Sequence, residues 1–317
     1  MDFVDVAIID GRPAGLTAAN TLARQLHSAV VYDNNSYRNA GVNHMHMILT
    51  WDHKSPEEYR RAARKDILDN YSTIEFADLS VLKIDKISDS HFEVHDSNGK
   101  MKKFRKVILA VGSTNRYPDV EGYDKLWKKR IFHCLFCHGY EDRGAASSGV
   151  LAILPVAGAL AAHMAQNAAQ LTAKVTLYTN GDDAVETELK PIVSAFVPSK
   201  FSVEARKIKR FSGADTGDFV TVEFEDGTSK IEKFLVHNPQ TTAQGSLVTQ
   251  LGLAITPMGD IQADGPFYQT SVPGVYAVGD CSTPYKVVPS SITSGCNAAV
   301  AASTEIQAAK YAQAPGS

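Results

Sequence analysis

Long apolar runs, a positively charged leader and a dominant charge of one sign are all missing from this 317-residue sequence. No apolar stretch approaches the roughly 18 residues that a membrane-spanning helix needs. Met1 leads almost directly into the apolar segment that starts at Phe3, without the features of a secretory signal. Lys and Arg total 32 against 35 Asp and Glu, so no basic field attracts nucleic acid or anionic lipid. We therefore expect a soluble, cytoplasmic protein that binds neither nucleic acid nor membranes.

Cysteine is scarce too, with four residues in the chain, and so few exclude a disulfide-stabilised secreted scaffold. Two of them, Cys134 and Cys137, form a C-x-x-C pair between His133 and His138. Such a pair can close a small disulfide ring, and adjacent imidazoles supply proton carriers and favour the thiolate. Redox or exchange chemistry is therefore the favoured interpretation. A zinc site and two inert buried cysteines are the alternatives, and no second C-x-x-C or finger-spaced histidine pair favours zinc.

A pair of histidines near the N-terminus is a weaker signal. His44 and His46 alternate in the segment 43–47, and a structural role is the simpler interpretation of such a pair. If the segment lies against the dithiol, His44 would act as the general base that takes a thiol proton.

Apolar periodicity places these signals on an α/β framework. The chain is longer than a typical single domain, which predicts two domains. The predicted elements are strand 3–9, helix 13–27, strand 28–33, helix 56–70, short strands within 74–111, strand 149–154, helix 157–171, strand 174–178, strand 274–278 and a helix after Pro289. A strand–helix–strand pattern occurs twice, so the sequence predicts an α/β fold with two Rossmann-like domains.

The first strand–helix turn lacks two of the three glycines of a dinucleotide loop. The positions of the G-x-G-x-x-G fingerprint are occupied by Asp10, Arg12 and Gly15. The first glycine makes the tight turn, the second admits the pyrophosphate, and the third allows close helix packing, so only Gly15 keeps its role. Asp33, after the second predicted strand, is the acid that would bind a ribose. Two hypotheses stay open: a weakened cofactor loop in which Arg12 pairs with a phosphate, and a turn without a ligand.

The second strand–helix turn departs further from the fingerprint. Its three positions are occupied by Leu154, Val156 and Ala159, and Pro155 removes a backbone N–H that a phosphate would use. The segment 178–181 after the following strand lacks the arginines that accept the 2′-phosphate of NADP. The sequence therefore predicts that this domain keeps the Rossmann-like fold and has lost the ability to bind NADPH.

Taken in order, these segments resemble the low-molecular-weight thioredoxin reductase family. They are most similar to its fungal branch of gliotoxin-type dithiol oxidases, which close the disulfide bridge of epipolythiodiketopiperazine metabolites. The matching segments are 13–16 (PAGL), 37–39 (YRN), 44–46 (HMH), 49–53 (LTWDH), 133–141 (HCLFCHGYE), 238–241 (NPQT) and 274–281 (GVYAVGDC). They span nearly the whole chain, and the dithiol segment is highly specific.

The resemblance implies an FAD domain formed by residues 1–115 and 240–317, and a degenerate NAD(P)-type domain of residues 116–239 that carries the dithiol. The residues that it assigns to FAD are Gly11, Pro13, Ala14, Gly15, Asp33, Arg38, Asn39, Asp280 and Ile292. Asp280 would hold the ribityl chain, and the following helix would point its N-terminus at the flavin pyrimidine. A homodimer and a small dithiol or disulfide substrate are implied as well, without NADPH. Asp10 and Arg12 depart from the flavin loop of the family.

Three functions follow as hypotheses. The leading one is a dithiol oxidase, in which reduced substrate passes electrons to Cys134 and Cys137, then to FAD and finally to oxygen. The second is a redox-neutral, FAD-independent rearrangement of a disulfide, with sulfur migration, in the same class of metabolite. The third is a metabolite-binding homologue without catalysis, against which the retained dithiol argues.

Overall fold

Two units divide the chain in the computed structural model, which describes residues 3–197, 199–213 and 217–312. The first unit ends at Thr114 and resumes at Thr241, and the second is Asn115–Gln240. These limits lie one residue from the boundaries expected at 115 and 240. Both units contain a parallel sheet covered by helices, so the predicted α/β fold of thioredoxin reductase type is confirmed.

The elements are numbered along the chain. Within the described residues, the strands are Val4–Ile9 (β1), Ala29–Tyr32 (β2), Ile74–Ala77 (β3), Val81–Ser88 (β4), His91–Asp96 (β5), Met101–Leu109 (β6), Ser113–Arg116 (β7), Ile131–Phe132 (β8), Ala145–Leu151 (β9), Thr172–Tyr178 (β10), Phe201–Glu204 (β11), Ile208–Ser212 (β12), Val220–Phe224 (β13), Ser229–Glu232 (β14), Leu235–Val236 (β15), Gln240–Ala243 (β16), Ala263–Asp264 (β17), Gln269–Thr270 (β18) and Val275–Ala277 (β19). The α-helices are Pro13–Ala23 (α1), Pro56–Asn70 (α2), Tyr123–Leu126 (α3), Gly158–Leu171 (α4), Asp183–Ser194 (α5), Leu247–Gln250 (α6) and Val288–Tyr311 (α7). Of these helices, none has both the length and the apolar character that crossing a membrane requires.

The first unit is built on a sheet with the order β17-β18-β19-β6-β1-β2-β3, to which β5 and β4 add beside β6. The strands from β19 to β3 are parallel. The central strand β1 is apolar almost throughout because parallel strands are covered on both faces. Val6 and Ile8 face one core, which contains α1 and α7, while Ala7 and Ile9 face the other.

The second unit has a parallel sheet with the order β11-β10-β9-β15-β8 and a separate antiparallel sheet of β12, β13 and β14. The strand predicted at 149–154 is wrong at both ends, because β9 begins at Ala145 and ends at Leu151. Beyond β9 the chain turns away from the sheet. The Ile153 carbonyl accepts a hydrogen bond from the His237 ring and not from a strand amide, and the side chain of Leu154 is exposed. Helix α1 likewise ends at Ala23, four residues before its predicted end.

Two glycines allow close backbone contacts around α1 in the first unit, one with the end of β1 and one with α7. A Cβ added to Gly295 of α7 would lie 2.1 Å from the Ala14 carbonyl oxygen, and one added to Gly15 would lie 2.0 Å from that of Asp10. These distances are far below contact, so neither site accepts a methyl group without moving backbone. Gly15 therefore performs the close-packing role that the fingerprint gives to its third glycine.

We expect Gly295→Ala to destabilise the first unit by about 3 kcal/mol, because the added methyl overlaps the Ala14 carbonyl. Urea unfolding followed by circular dichroism measures the change. Gly265→Ala is the matched control: an added Cβ there meets nothing within 4 Å, so its effect stays below about 0.5 kcal/mol. Equal stability of the two variants would contradict the close approach.

A buried histidine ties β15 to the end of β9 in the second unit. His237 is completely buried, and its Nε2 donates to the Ile153 carbonyl at 3.0 Å. Its Nδ1 therefore accepts from the Tyr123 hydroxyl, at 2.7 Å. Burial lowers the pKa of His237 to about 4, because the imidazolium would lose its hydration.

The second unit should lose stability as the pH falls below 6.5. The unfolded chain protonates His237 near its ordinary pKa, while the folded chain resists protonation until about pH 4. Between pH 7 and pH 5 this difference removes about 2 kcal/mol of unfolding free energy. His237→Gln, which retains a side-chain donor, should show a smaller loss in urea unfolding at the two pH values. An unchanged loss would exclude His237 as its source.

Candidate active site

The two cysteines of the C-x-x-C pair lie side by side in a tight turn after β8. The Sγ atoms of Cys134 and Cys137 are 2.6 Å apart, both residues are half-buried, and neither forms a disulfide. The turn is closed by the amides of Cys137 and His138, which donate to the Cys134 carbonyl at 3.3 and 3.1 Å. Both sulfur atoms therefore lie together, and a disulfide between them needs little backbone movement.

Hydrophobic packing fixes this turn against the core of the second unit. Leu135, between the two cysteines, packs on the core that lies between β9, β10 and α4. Phe136 is 65% exposed. Gly139 has a φ of +105°, a conformation that favours glycine, and an added Cβ there would lie 3.0 Å from Leu135 Cδ2. Leu135 thus anchors the turn on the core, while Phe136 is exposed and the two cysteines are half-buried.

The two flanking imidazoles are held by aromatic rings. His138 is stacked on Phe132, with ring centroids 5.4 Å apart and an interplanar angle of 28°. The ring of His133 lies 6.0 Å from that of Trp127. Both histidines are half-buried. The neighbouring aromatic rings therefore limit the rotation of each imidazole, which stays in contact with water. The four predicted residues of this segment therefore share one turn.

The third predicted base belongs to the first unit. His44 is exposed, beside buried Met45, which forms an isolated bridge with Lys54. His46 Nε2 lies 3.1 Å from His53 Nδ1, so the second histidine of the pair has a local partner. The role of His44 as a base stays a prediction.

The other two cysteines differ in environment. Cys281 is completely buried at the end of β19, and burial raises the pKa of its thiol to about 12. Since the thiolate is the reactive form, this cysteine is inert near neutral pH. Cys296 lies half-buried within α7 and is useful as a control.

In the first unit, the β1–α1 turn does not fit a flavin diphosphate. Asp10 has a φ of +94° and Arg12 is 8% exposed, although these positions normally hold glycines. The Arg12 side chain turns inward: its Nη1 donates to the Val111 carbonyl, and a Cβ added to Gly112 would lie 1.5 Å from that nitrogen. The Arg12 side chain is therefore turned into the protein and does not point outward to pair with a phosphate.

The remaining residues assigned to FAD lie in the same unit, and four of them, Asp33, Arg38, Asn39 and Asp280, contact polar side chains of the protein. The Asp33 carboxylate accepts a hydrogen bond from the Tyr37 hydroxyl at 2.7 Å. A Cβ added to Gly11 would lie 2.2 Å from Asp33 Oδ2, so the carboxylate fills the space beside this glycine. Arg38 pairs with Asp280 at 3.2 Å. The others are placed as follows: Asn39 accepts from Arg60, Pro13 and Ala14 begin α1, and Ile292 lies half-buried in α7.

A cavity of about 700 Å³ lies beside Asp33. Its walls include Arg60 and Arg64 of α2, residues that the sequence analysis did not single out. Arg60 lies over the Tyr37 ring at 3.8 Å. The available signal was the i, i+4 spacing of the two arginines after the Ser55 cap, which puts both on one helix face.

The corresponding turn of the second unit also holds an acid. A Cβ added to Gly158, the first residue of α4, would lie 2.0 Å from Glu188 Oε1, so a carboxylate sits where a nucleotide phosphate would bind a helix N-terminus. The adjacent cavity of about 590 Å³ is lined by Asp182 and Asp183. These acids would repel the 2′-phosphate of NADP.

Comparison with known proteins gives one family. Residues 4–314 match the family model of pyridine nucleotide-disulphide oxidoreductases. The chain is 43% identical to thioredoxin reductase aclD of Aspergillus oryzae over 93% of this chain and 94% of that protein. It is 41% identical to thioredoxin reductase tcpT of Claviceps purpurea, covering 97% and 95%. An oxidoreductase structure from Agrobacterium tumefaciens matches with a TM-score of 0.84 at 30% identity, covering 96% and 99%. The chain therefore belongs to the pyridine nucleotide-disulphide oxidoreductases and is a thioredoxin reductase-like enzyme.

Proposed function

We propose that this protein catalyses thiol–disulfide exchange with a small sulfur-bridged fungal metabolite of the epipolythiodiketopiperazine type. The observation that carries the proposal is the pair of sulfur atoms of Cys134 and Cys137, 2.6 Å apart in a partly exposed turn. The metabolite class comes from the resemblance of the segment 133–141 to gliotoxin-type dithiol oxidases. Partly exposed thiols with imidazoles next to them in the sequence have the chemistry that such exchange requires.

The exchange begins when His133 or His138 takes the proton of one cysteine. The thiolate attacks a sulfur of the substrate disulfide, the substrate S–S bond breaks, and its second sulfur leaves as a thiolate while a mixed disulfide forms. In the open substrate, the free sulfur can leave its carbon as hydrosulfide while the neighbouring carbon loses a proton, which forms a C=C bond. The sulfur then adds to the neighbouring carbon and the first carbon takes a proton, so that one C–S bond has been exchanged for another and one hydrogen has moved the opposite way.

The second cysteine of the pair then displaces the remaining substrate sulfur from the mixed disulfide, which forms the Cys134–Cys137 disulfide and an open substrate dithiol. One substrate thiolate attacks the Cys134–Cys137 disulfide and the other closes the substrate disulfide, so both cysteine thiols are restored and no electrons leave the system.

The redox-neutral version of this exchange is the one that the geometry supports best. The family typically binds FAD, but Arg12 fills the turn that would receive the diphosphate. In the second unit, Glu188 and the pair Asp182 and Asp183 disfavour NADPH. A rearrangement needs neither cofactor, because it has no net electron transfer.

The second candidate is dithiol oxidation, which the resemblance favours. It would use the same two cysteines: substrate dithiol would reduce the Cys134–Cys137 disulfide, and the reduced pair would need an electron acceptor, FAD and then oxygen in the resembling family. The names of the curated relatives, thioredoxin reductases, are consistent with a reaction at a dithiol.

Replacing either cysteine of the pair should abolish turnover. Cys134→Ser and Cys137→Ser each remove a thiolate, so we expect a loss of about 10⁴-fold or more in kcat/KM with gliotoxin as the probe. One of the two variants should accumulate a mixed disulfide, detected as an added mass on the intact protein, because the partner sulfur is missing. Cys296→Ser is the matched control and should retain full turnover. Unchanged turnover in both variants would overturn the proposal and favour a binding role.

Oxygen dependence separates the two candidates. Under anaerobic conditions, without added flavin or NADPH, a redox-neutral enzyme should convert gliotoxin to an isomer of identical mass while the total thiol content stays constant. Chromatography with mass detection and a thiol titration provide the measurement. Turnover of the reduced dithiol form that stops when oxygen is removed would instead establish dithiol oxidation.

A further inference from the structure

The turn between β1 and α1 keeps the backbone of a dinucleotide-binding loop. Arg12 is the N-cap residue of α1, with extended backbone (φ −75°, ψ 172°), and Pro13 is the first helical residue. Gly15 packs on the Asp10 carbonyl. In Rossmann folds the diphosphate lies at this helix N-terminus, against the second glycine of the fingerprint. Arg12 occupies the position of that glycine, so its side chain begins where the diphosphate would be.

The guanidinium of Arg12 is already provided with acceptors from three separate segments. Its Nη2 donates to the Gln244 side chain at 2.7 Å and to the Ser36 carbonyl, and its Nη1 donates to the Val111 carbonyl. Its Nε lies 3.0 Å from Asp10 Oδ2. A diphosphate could enter only by displacing a group that is 8% exposed and hydrogen-bonded on both terminal nitrogens. Removing such a group from its acceptors is costly.

Asp10 places its carboxyl group beside Arg12; burial raises the pKa of this carboxyl to about 7, and the charge of Arg12 opposes that rise. Its carboxylate is buried beside the N-terminus of α1, where the helix dipole favours an anion. It also neutralises Arg12, since an unpaired buried cation at a helix N-terminus would be strongly unfavourable. The backbone of Asp10, at a φ of +94°, is strained by roughly 1–3 kcal/mol. The strain is retained because this residue completes the ion pair.

A second ion pair occupies the next part of the flavin path. Asp280, at the end of β19, is the acid assigned to the ribityl chain, and Arg38 lies 3.2 Å from its Oδ2. Only 11% of the Arg38 side chain and 20% of the Asp280 side chain are exposed. Two acids of the first unit are thus each engaged by an arginine of the same unit.

We propose that the ion pair of Asp10 and Arg12 replaces the FAD diphosphate, so that the first unit folds and remains stable without a flavin. The pair of Arg38 and Asp280 extends this replacement toward the ribityl position. The inference concerns binding alone: the redox-neutral form of the proposed function rests on the same turn, whereas thiol–disulfide exchange at Cys134 and Cys137 does not.

Restoring the glycines should restore flavin binding. The parent protein, incubated with FAD and desalted, should retain no flavin and show no shift in Tm. The double variant D10G/R12G should retain about one FAD per chain and bind it on the order of 100-fold more tightly than the parent. Visible absorbance of the desalted protein and equilibrium dialysis with FAD give both quantities without any turnover assay.

A matched variant keeps the bulk of both side chains and removes their charge. D10N/R12Q should lower Tm and still exclude FAD, because the side chains continue to fill the turn. Stoichiometric, tight FAD binding by the parent would overturn the proposal, and that measurement does not require any variant to fold. A folded D10G/R12G protein that still rejects FAD would also overturn it, since other residues would then exclude the cofactor.

Discussion

Close packing between the first helix and the last helix is the constraint on which the first unit depends. Gly15 and Gly295 let backbone meet backbone around Ala14, and this contact sets α1 against the end of β1. Because α1 has little freedom there, the β1–α1 turn keeps one shape whatever side chains it carries. Changes of residue type at Asp10 and Arg12 are therefore absorbed by side chains and local strain, with the strand and helix in place.

That constraint explains how a binding loop can change its chemistry and keep its fold. A glycine fingerprint leaves a space lined by backbone N–H groups, and such a space is stable only with an anion in it or with protein groups that satisfy it. Asp10 and Arg12 satisfy it from within the chain. In the second unit an acid lies at the corresponding turn, next to Gly158. The two Rossmann-like units thus place different side chains at the equivalent strand–helix turn.

The sequence was sufficient to predict the α/β framework and the proximity of the two cysteines. It was insufficient to predict the direction of side chains whose partners lie far away in the sequence. Continuous apolar runs fixed β1 and its neighbours, because burial on both faces leaves a clear pattern. The spacing of Cys134 and Cys137 likewise fixes their proximity. The inward direction of Arg12 depends on acceptors at Ser36, Val111 and Gln244, which lie far apart in sequence. For the same reason, the early end of β9 follows from a contact with His237 and was not visible in the local pattern.

The strained backbone at Asp10 makes this residue and Arg12 dependent on each other. Without Arg12, Asp10 would be a buried acid in a conformation suited to glycine, and without Asp10, Arg12 would be a buried cation at the positive end of a helix. Each single reversion is therefore worse than either end state. The two residues are therefore coupled, and the effects of substituting them one at a time do not add up to the effect of substituting both.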